Sequence, residues 1–366
     1  TPGGPATLIR GDIMTPEGRL LSGEVVIGAD GNIACVGCDC AADAGGARVF
    51  DCPKALVTPG LLNLHDHIGW AEHPPVSVGD ERYDHRHEWR KGKNGKTAIK
   101  TAQNASKLGD AWGELRMAMS GVTSMMGSGG EGGLVRNLDR NNLLEDGLSH
   151  KVPEAPTFPL GDSGGSMQTM GCSGYSLKDQ AGRESAVSYI PHVAEGIGDA
   201  ARNEFLCLSG QSQDGWDLTL EHAAFIHSIG LNTADIALMA ADSTGVIWSP
   251  RSNISLYGHT ASLPILHRQG VQIALGTDWL PSGSYNLLRE LQCADYWNAT
   301  HMDRYFSDRV LVDMVTHTAG ELSGFGDVLG SLQVGKLGDV TIWDGAENIG
   351  YRAVLDATPS EVVLVM

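Results

Sequence analysis

Positive charge is scarce in this sequence. Across 366 residues, 26 lysines and arginines stand against 44 aspartates and glutamates, a formal net charge of −18. That balance argues against nucleic acid or an anionic membrane surface as the main partner. Long apolar runs are missing too, since no stretch reaches the roughly 20 residues that a membrane-spanning helix needs. There is no low-complexity tract, so the 48 glycines and 15 prolines read as turns between many short elements. No G-x-G-x-x-G follows the first apolar strand, which removes the main support for a dinucleotide-binding doubly wound sheet. What remains is a globular chain, 42% hydrophobic and 19% charged, large enough for one barrel or two ordinary domains.

The seven cysteines are few and unevenly placed. Cys35, Cys38, Cys40 and Cys52 fall within "CVGCDCAADAGGARVFDC". The spacing lacks the two matched C-x2-C knuckles of a zinc ribbon, so disulfides, free thiols and a metal site all stay open, in that order. Localisation stays open between cytoplasmic and exported, and disulfides in this cluster would point to an oxidising compartment.

Both ends alternate apolar and polar residues over short spans broken by Gly-Asp and Asp-Gly turns, as in "TLIRGDIMT", "LLSGEVVIGADGNIACVG" and "GKLGDVTIWDG". Residues 1–56 and 335–366 are therefore expected to form one small β-sandwich domain. Between them, residues 57–334 alternate short apolar runs with helical stretches, the pattern of βαβ units. Eight candidate strands in this span fit an α/β fold of the (β/α)8 barrel type, typically about 250 residues long.

Barrel active sites are built at the C-terminal ends of the strands. The first strand, "ALVTPGLLNLH", runs into His65-Asp66-His67. Side chains alternate along a strand, so His65 and His67 project together and Asp66 points away. The second, third and fourth strands end in "MMGSGG", "RNLDR" and "PLGDSGG". The fifth ends in "PHVAEG" with His192 and Glu195, the sixth in "FIHSIG" with His227, and the eighth in "LGTDWLPSG" with Asp278. A single histidine at a strand end is more often a hydrogen-bonded structural residue than a ligand. Four histidines and an aspartate at one barrel mouth form an N/O donor set suited to zinc, with iron or manganese as alternatives.

Taken in order, "TPGLLNLHDH", "HVAEG", "HSIGL", "SPRSNISL", "LGTDWLPSG" and "GSLQVGKLGDVTIWD" resemble the amidohydrolase superfamily, and within it the deaminase and chlorohydrolase-like branch. The resemblance runs through nearly the whole chain. It implies that His65, His67, His192 and Asp278 hold one metal ion per chain, Zn2+ first, with Fe2+ or Mn2+ as alternatives. It implies proton shuttling by Glu195, orientation of the attacking water by His227, and proton acceptance by Asp278. Asn253 and Arg251 match a stretch near the substrate mouth. Two-metal members carry a lysine at the end of strand four, and "APTFPLGDSGG" has none, which favours a single ion.

The activity this implies is hydrolysis of a non-peptide C–N bond, most simply deamination of a cyclic amidine or aminated heterocycle. The alternatives are cleavage of a cyclic amide or N-acyl bond, and a non-catalytic relative that only binds. The partners expected are a small-molecule substrate and, as an option, further copies of the chain, with no nucleic acid and no membrane. The long loop "AEHPPVSVGDERYDHRHEWRKGKNG" is either a solvated lid or the source of a substrate contact through His85, Arg86, His87 or Arg90.

Overall fold

The computed structural model describes residues 5–101, 103, 105–140, 148, 152–177 and 180–366. The N-terminal segment forms β1 (Thr7–Thr15), β2 (Gly18–Ile27), β3 (Ile33–Gly37) and β4 (Arg48–Pro59). The parallel strands that follow are β5 (Leu61–Asn63), β6 (Val122–Met125), β7 (Arg136–Asn137), β8 (His192–Val193), β9 (Ala224–His227), β10 (Gly245–Trp248) and β11 (Ile273–Leu275). The chain closes with β12 (Val340–Trp343) and β13 (Val362–Val365).

The two ends do meet, in one mixed sheet of order β13-β12-β4-β1-β2-β3. Among the described residues this is a single six-stranded sheet rather than the two packed sheets of a sandwich. One sheet suffices because other parts of the chain cover both of its faces. Ile9, Ile13, Val25, Val57 and Ile342 pack with Leu332, whereas Leu8 and Val26 pack against Cys40 and Ala44. Leu56 and Trp343 join the main core. The cysteine-rich segment serves this sheet: Cys35 and Cys40 form a disulfide, and Cys38 and Cys52 are free. A second disulfide joins Cys172 to Cys207, outside that cluster.

The inner strands form two parallel runs, β5-β6-β7 and β11-β10-β9-β8. A parallel bridge between Asp66 and Asp278 joins the first strand to the last, with the Asp278 N–H donating to the His65 carbonyl at 2.9 Å. Side chains alternate between two cores, as both faces of a parallel sheet must be buried. Leu62, Leu64, Ala224, Ile226, Ile247 and Ala274 line the inner core, while Leu61, Phe225, Val246, Trp248 and Leu275 face the outer one. The expected fourth strand, residues 155–161, is irregular; only Glu154 before it bridges in parallel to Tyr189. Its two prolines, Pro156 and Pro159, remove ladder donors and account for this.

Helices start where side chains can cap them. Ser106 accepts from Gly109 N–H ahead of Lys107–Ala118, and Asn232 with Asp235 forms a capping box ahead of Thr233–Ala241. Ser249 stands before the helix Pro250–Tyr257, where proline favours a helix start. That helix begins earlier than the strand reading of "GVIWSPRSN" expects.

Candidate active site

The polar strand ends converge. His65 Nε2 lies 3.3 Å from His67 Nε2 and 3.1 Å from His192 Nε2, and the last two are 3.3 Å apart. Asp278 Oδ1 lies 3.4 Å from His65 Nε2 and 3.6 Å from His67 Nε2. His227 stands with His65 and His192 as a second trio able to hold an ion. Asp66 turns the other way, as strand alternation requires, and accepts from Thr277 Oγ1 at 2.6 Å.

Backbone geometry brings the groups this close. His227 and Asp278 have φ of 72° and 57°, and Ala194, between His192 and Glu195, has 53°. Non-glycine residues in the left-handed region cost about 1 kcal/mol or more and persist where surrounding structure holds them. At Gly276 a Cβ would sit 2.3 Å from His65 Cβ, so only glycine lets β11 pass the first histidine.

Hydrogen bonds at Nδ1 indicate which nitrogen is free on His227 and on His65. Asn253 Nδ2 donates to Thr260 Oγ1 at 3.3 Å, so its Oδ1 faces His227 Nδ1 at 2.9 Å as an acceptor. His227 therefore carries its proton on Nδ1 and leaves Nε2 bare. His65 Nδ1 lies 2.8 Å from Ser249 Oγ, and donation there leaves its Nε2 bare as well. Burial, then neighbouring imidazoles, hold His65 and His192 well below the usual histidine range, and burial lowers His67. Neutral nitrogens pointing their lone pairs at one another, beside a carboxylate, are the donor set of a divalent metal ion. The residues fit such an ion.

Glu195 stands beside this cluster. Its Oε1 accepts from the Tyr257 hydroxyl at 2.7 Å, and its Oε2 lies 3.6 Å from His227 Nε2. Burial is the main influence that raises its pKa, against the pull of His227 and Arg86. Asp278 is held as tightly: Ser252 Oγ donates to Oδ2 at 2.5 Å and the Trp279 N–H to Oδ1 at 2.6 Å. A cavity of about 410 Å³ opens over these groups, with Trp70, Trp89, Trp279, Phe158 and Arg90 in its walls.

The two "SPRSN" residues part company. They are two positions apart on a helix and so face different sides. Asn253 reaches His227, whereas Arg251 donates to Ser284 Oγ at 2.7 Å and does not line this cavity. Of the charged loop, Arg86 and Arg90 line the cavity. His85 and His87 lie buried behind them, pairing with Glu204 at 3.1 Å and Asp162 at 2.8 Å. Sequence reasoning missed Tyr257, Ser249 and Ser252. All three sit in or next to "SPRSNISLY", whose alternating polar residues were the available signal.

Comparison with known proteins agrees with this geometry. The Amidohydrolase family model matches residues 187–366. A 5-methylthioadenosine/S-adenosylhomocysteine deaminase of Teredinibacter turnerae is 34% identical over 126 residues, which cover 32% of this chain and 28% of that protein. The chain thus matches less than a third of that relative's length. A protein of the same name from Symbiobacterium thermophilum is 24% identical over 96% of this chain and 89% of its own. Among solved structures, an adenosine deaminase from Xanthomonas campestris with bound zinc superposes with a TM-score of 0.66 at 19% identity, over 100% of this chain and 92% of that one. With strand-end histidines converging on a parallel sheet, residues 187–366 of this chain belong to the amidohydrolase family.

Proposed function

We propose that the chain is a zinc-dependent hydrolase that removes an amino group, as ammonia or an amine, from an aminated heterocycle or cyclic amidine. The observation that carries this reading is the pairing of a four-donor cluster with a separate buried carboxyl. His65, His67, His192 and Asp278 would hold the ion, and Glu195, tied to Tyr257, stays outside the set. We also take the parallel strands to be a (β/α)8 barrel of residues 57–334, with residues 1–56 and 335–366 as the second domain. The two disulfides favour maturation in an oxidising compartment.

A bound zinc ion would supply a Lewis acid and lower the pKa of a coordinated water toward about 7. The remaining work falls to side chains of this chain. Glu195 keeps Oε1 on Tyr257 and turns Oε2 toward His227, so a proton held on Oε2 can be passed to a ring nitrogen or to the departing amine. Burial raises its pKa and so favours the proton-bearing form. His227, fixed by Asn253, presents a bare Nε2 that accepts a hydrogen bond from the attacking water. Asp278, besides its place in the donor set, accepts the proton that the water gives up. Trp70, Trp89 and Trp279 line the cavity and offer flat apolar faces to a planar ring.

The names of the similar deaminases make 6-aminopurine nucleosides the first substrates to try. The test is ammonia release by zinc-loaded protein from a panel of aminated rings and of cyclic amides. Ring opening of the amides without ammonia release would replace deamination by amide hydrolysis. No turnover of either class would leave a binding protein.

A further inference from the structure

The cavity has two chemically distinct walls. One carries the histidines, Asp278 and Glu195; the other carries Arg86, Arg90 and Lys91 beside Phe158. Such a wall stands out in a chain of formal charge −18. Arg86 is accounted for within the protein. It is buried and pairs with Asp162 at 2.6 Å and Glu204 at 3.1 Å.

Arg90 is held differently. Its guanidinium lies over the Phe158 ring, 4.2 Å from the centroid. One terminal nitrogen donates to His87 Nδ1 at 2.7 Å and the other to the Ser163 carbonyl at 3.3 Å. Both acceptors are neutral, because His87 commits its Nε2–H to Asp162 and keeps Nδ1 bare. No carboxylate lies within ion-pair distance of Arg90 among the described residues. Burial and then the neighbouring Arg86 weigh against its charge, and Glu195 and Asp162 favour it only from beyond contact distance. A half-buried cation anchored on neutral groups, with most of its five N–H donors unengaged, lacks the counter-ion that would repay its desolvation. Two more buried donors on cavity-lining residues, Trp70 Nε1 and Arg86 Nε, also have no partner.

We infer that Arg90, on its Phe158 platform, binds a carboxylate carried by the substrate, so that the ring processed here bears an acidic substituent. The planar guanidinium fork matches the two oxygens of a carboxylate, and its single charge balances one anion. His87 and Asp162 act as positioning residues that aim the fork without neutralising it. This inference rests on the reading of the cavity as a heterocycle site.

Four aminated rings (6-aminopurine, pterin, cytosine and amino-s-triazine), each as the parent and as its carboxymethyl derivative, are titrated calorimetrically into the zinc-loaded protein. The result expected is that at least one carboxymethyl compound binds about 10-fold or more tightly than its parent. In Arg90→Met that ratio falls to about one, and Arg90→Lys, which keeps charge without the fork, lies between. The inference is overturned if no carboxymethyl compound outbinds its parent, or if the ratio survives in Arg90→Met. Stronger binding of phosphonomethyl than of carboxymethyl compounds would also overturn it. Ammonia release in the same samples separates the two readings. Release without a carboxylate preference removes the role of Arg90 and leaves deamination standing, while the preference without release does the reverse.

Discussion

Tyr257 donates its hydroxyl hydrogen to Glu195 Oε1 at 2.7 Å, and the tyrosine oxygen itself accepts from Trp89 Nε1 at 2.8 Å. The tyrosine is buried, and burial followed by the charge of Glu195 drives its own pKa well above the usual range. It therefore stays a donor at any working pH and holds one carboxyl oxygen in place while the other faces the cavity. Trp89 also packs on Trp279, with ring centroids 4.8 Å apart, so the short helix Arg86–Lys91 and the residue after Asp278 both support this arrangement.

Tyr257→Phe should lower kcat by about 10-fold or more, the worth of a hydrogen bond to a charged or proton-bearing carboxyl, with little change in KM. Steady-state kinetics on a working substrate read the split. A rise in KM at constant kcat would mean that Tyr257 serves binding rather than the placement of Glu195.

Glu195→Gln should keep the metal and lose orders of magnitude in turnover, since proton transfer by a positioned group contributes about 10²–10⁴-fold. Asp278→Asn should also abolish turnover, with reduced metal content. Mass spectrometry of the metal, paired with circular dichroism, separates both outcomes from misfolding.

Zinc should bind at one ion per chain and raise the melting temperature in a concentration-dependent way, because it binds the folded cluster far better than the unfolded chain. Ser249→Ala removes the partner of His65 Nδ1 and should weaken zinc affinity by about 10–100-fold, the usual effect of losing a residue that orients a ligating histidine. Competition against a chelator measures the change; an unaltered affinity would remove Ser249 from the site.

Glu290 gives a pH dependence outside the site. Its Oε1 accepts the Arg251 N–H at 3.0 Å, its Oε2 has no partner, and burial raises its pKa to about 7 from 4.5. Because the folded pKa is raised, its contribution to stability is full below about pH 4.5 and declines as pH rises to about 7. The loss amounts to about 3 kcal/mol. Glutamine does not titrate, so Glu290→Gln should gain on the parent by about that amount between pH 4.5 and 8 in urea unfolding. A constant gap across that range would show that Glu290 is ionised throughout.

The strand ends were the legible part of the candidate site. His65, His67, His192, His227 and Asp278 could be read from the sequence because each closes an apolar strand, and strand ends of a parallel α/β sheet share one face of the molecule. The alternation that sends Asp66 away from its neighbours follows from the pleat alone. Arg251 was placed less well, since "SPRSN" continues the run of "GVIW" and nothing local announces that Pro250 starts a helix instead. The sandwich expectation had the same weakness: alternation reports that strands exist and which face is apolar, but not whether a second sheet or the rest of the chain covers that face.

The sequence by itself determined the parallel α/β pattern, the meeting of the two ends, and the identity of the histidines and the aspartate at the strand ends, because these follow from short-range periodicity and side-chain chemistry. Only the tertiary structure decided which imidazole nitrogens are bare, that Tyr257 holds Glu195, that Cys172 pairs with Cys207, and that Arg90 faces the cavity without a carboxylate. Those contacts join residues up to 184 positions apart, as in His65 with Ser249. Hydrogen-bond partners and burial at such separations are fixed by packing, and no local pattern encodes them.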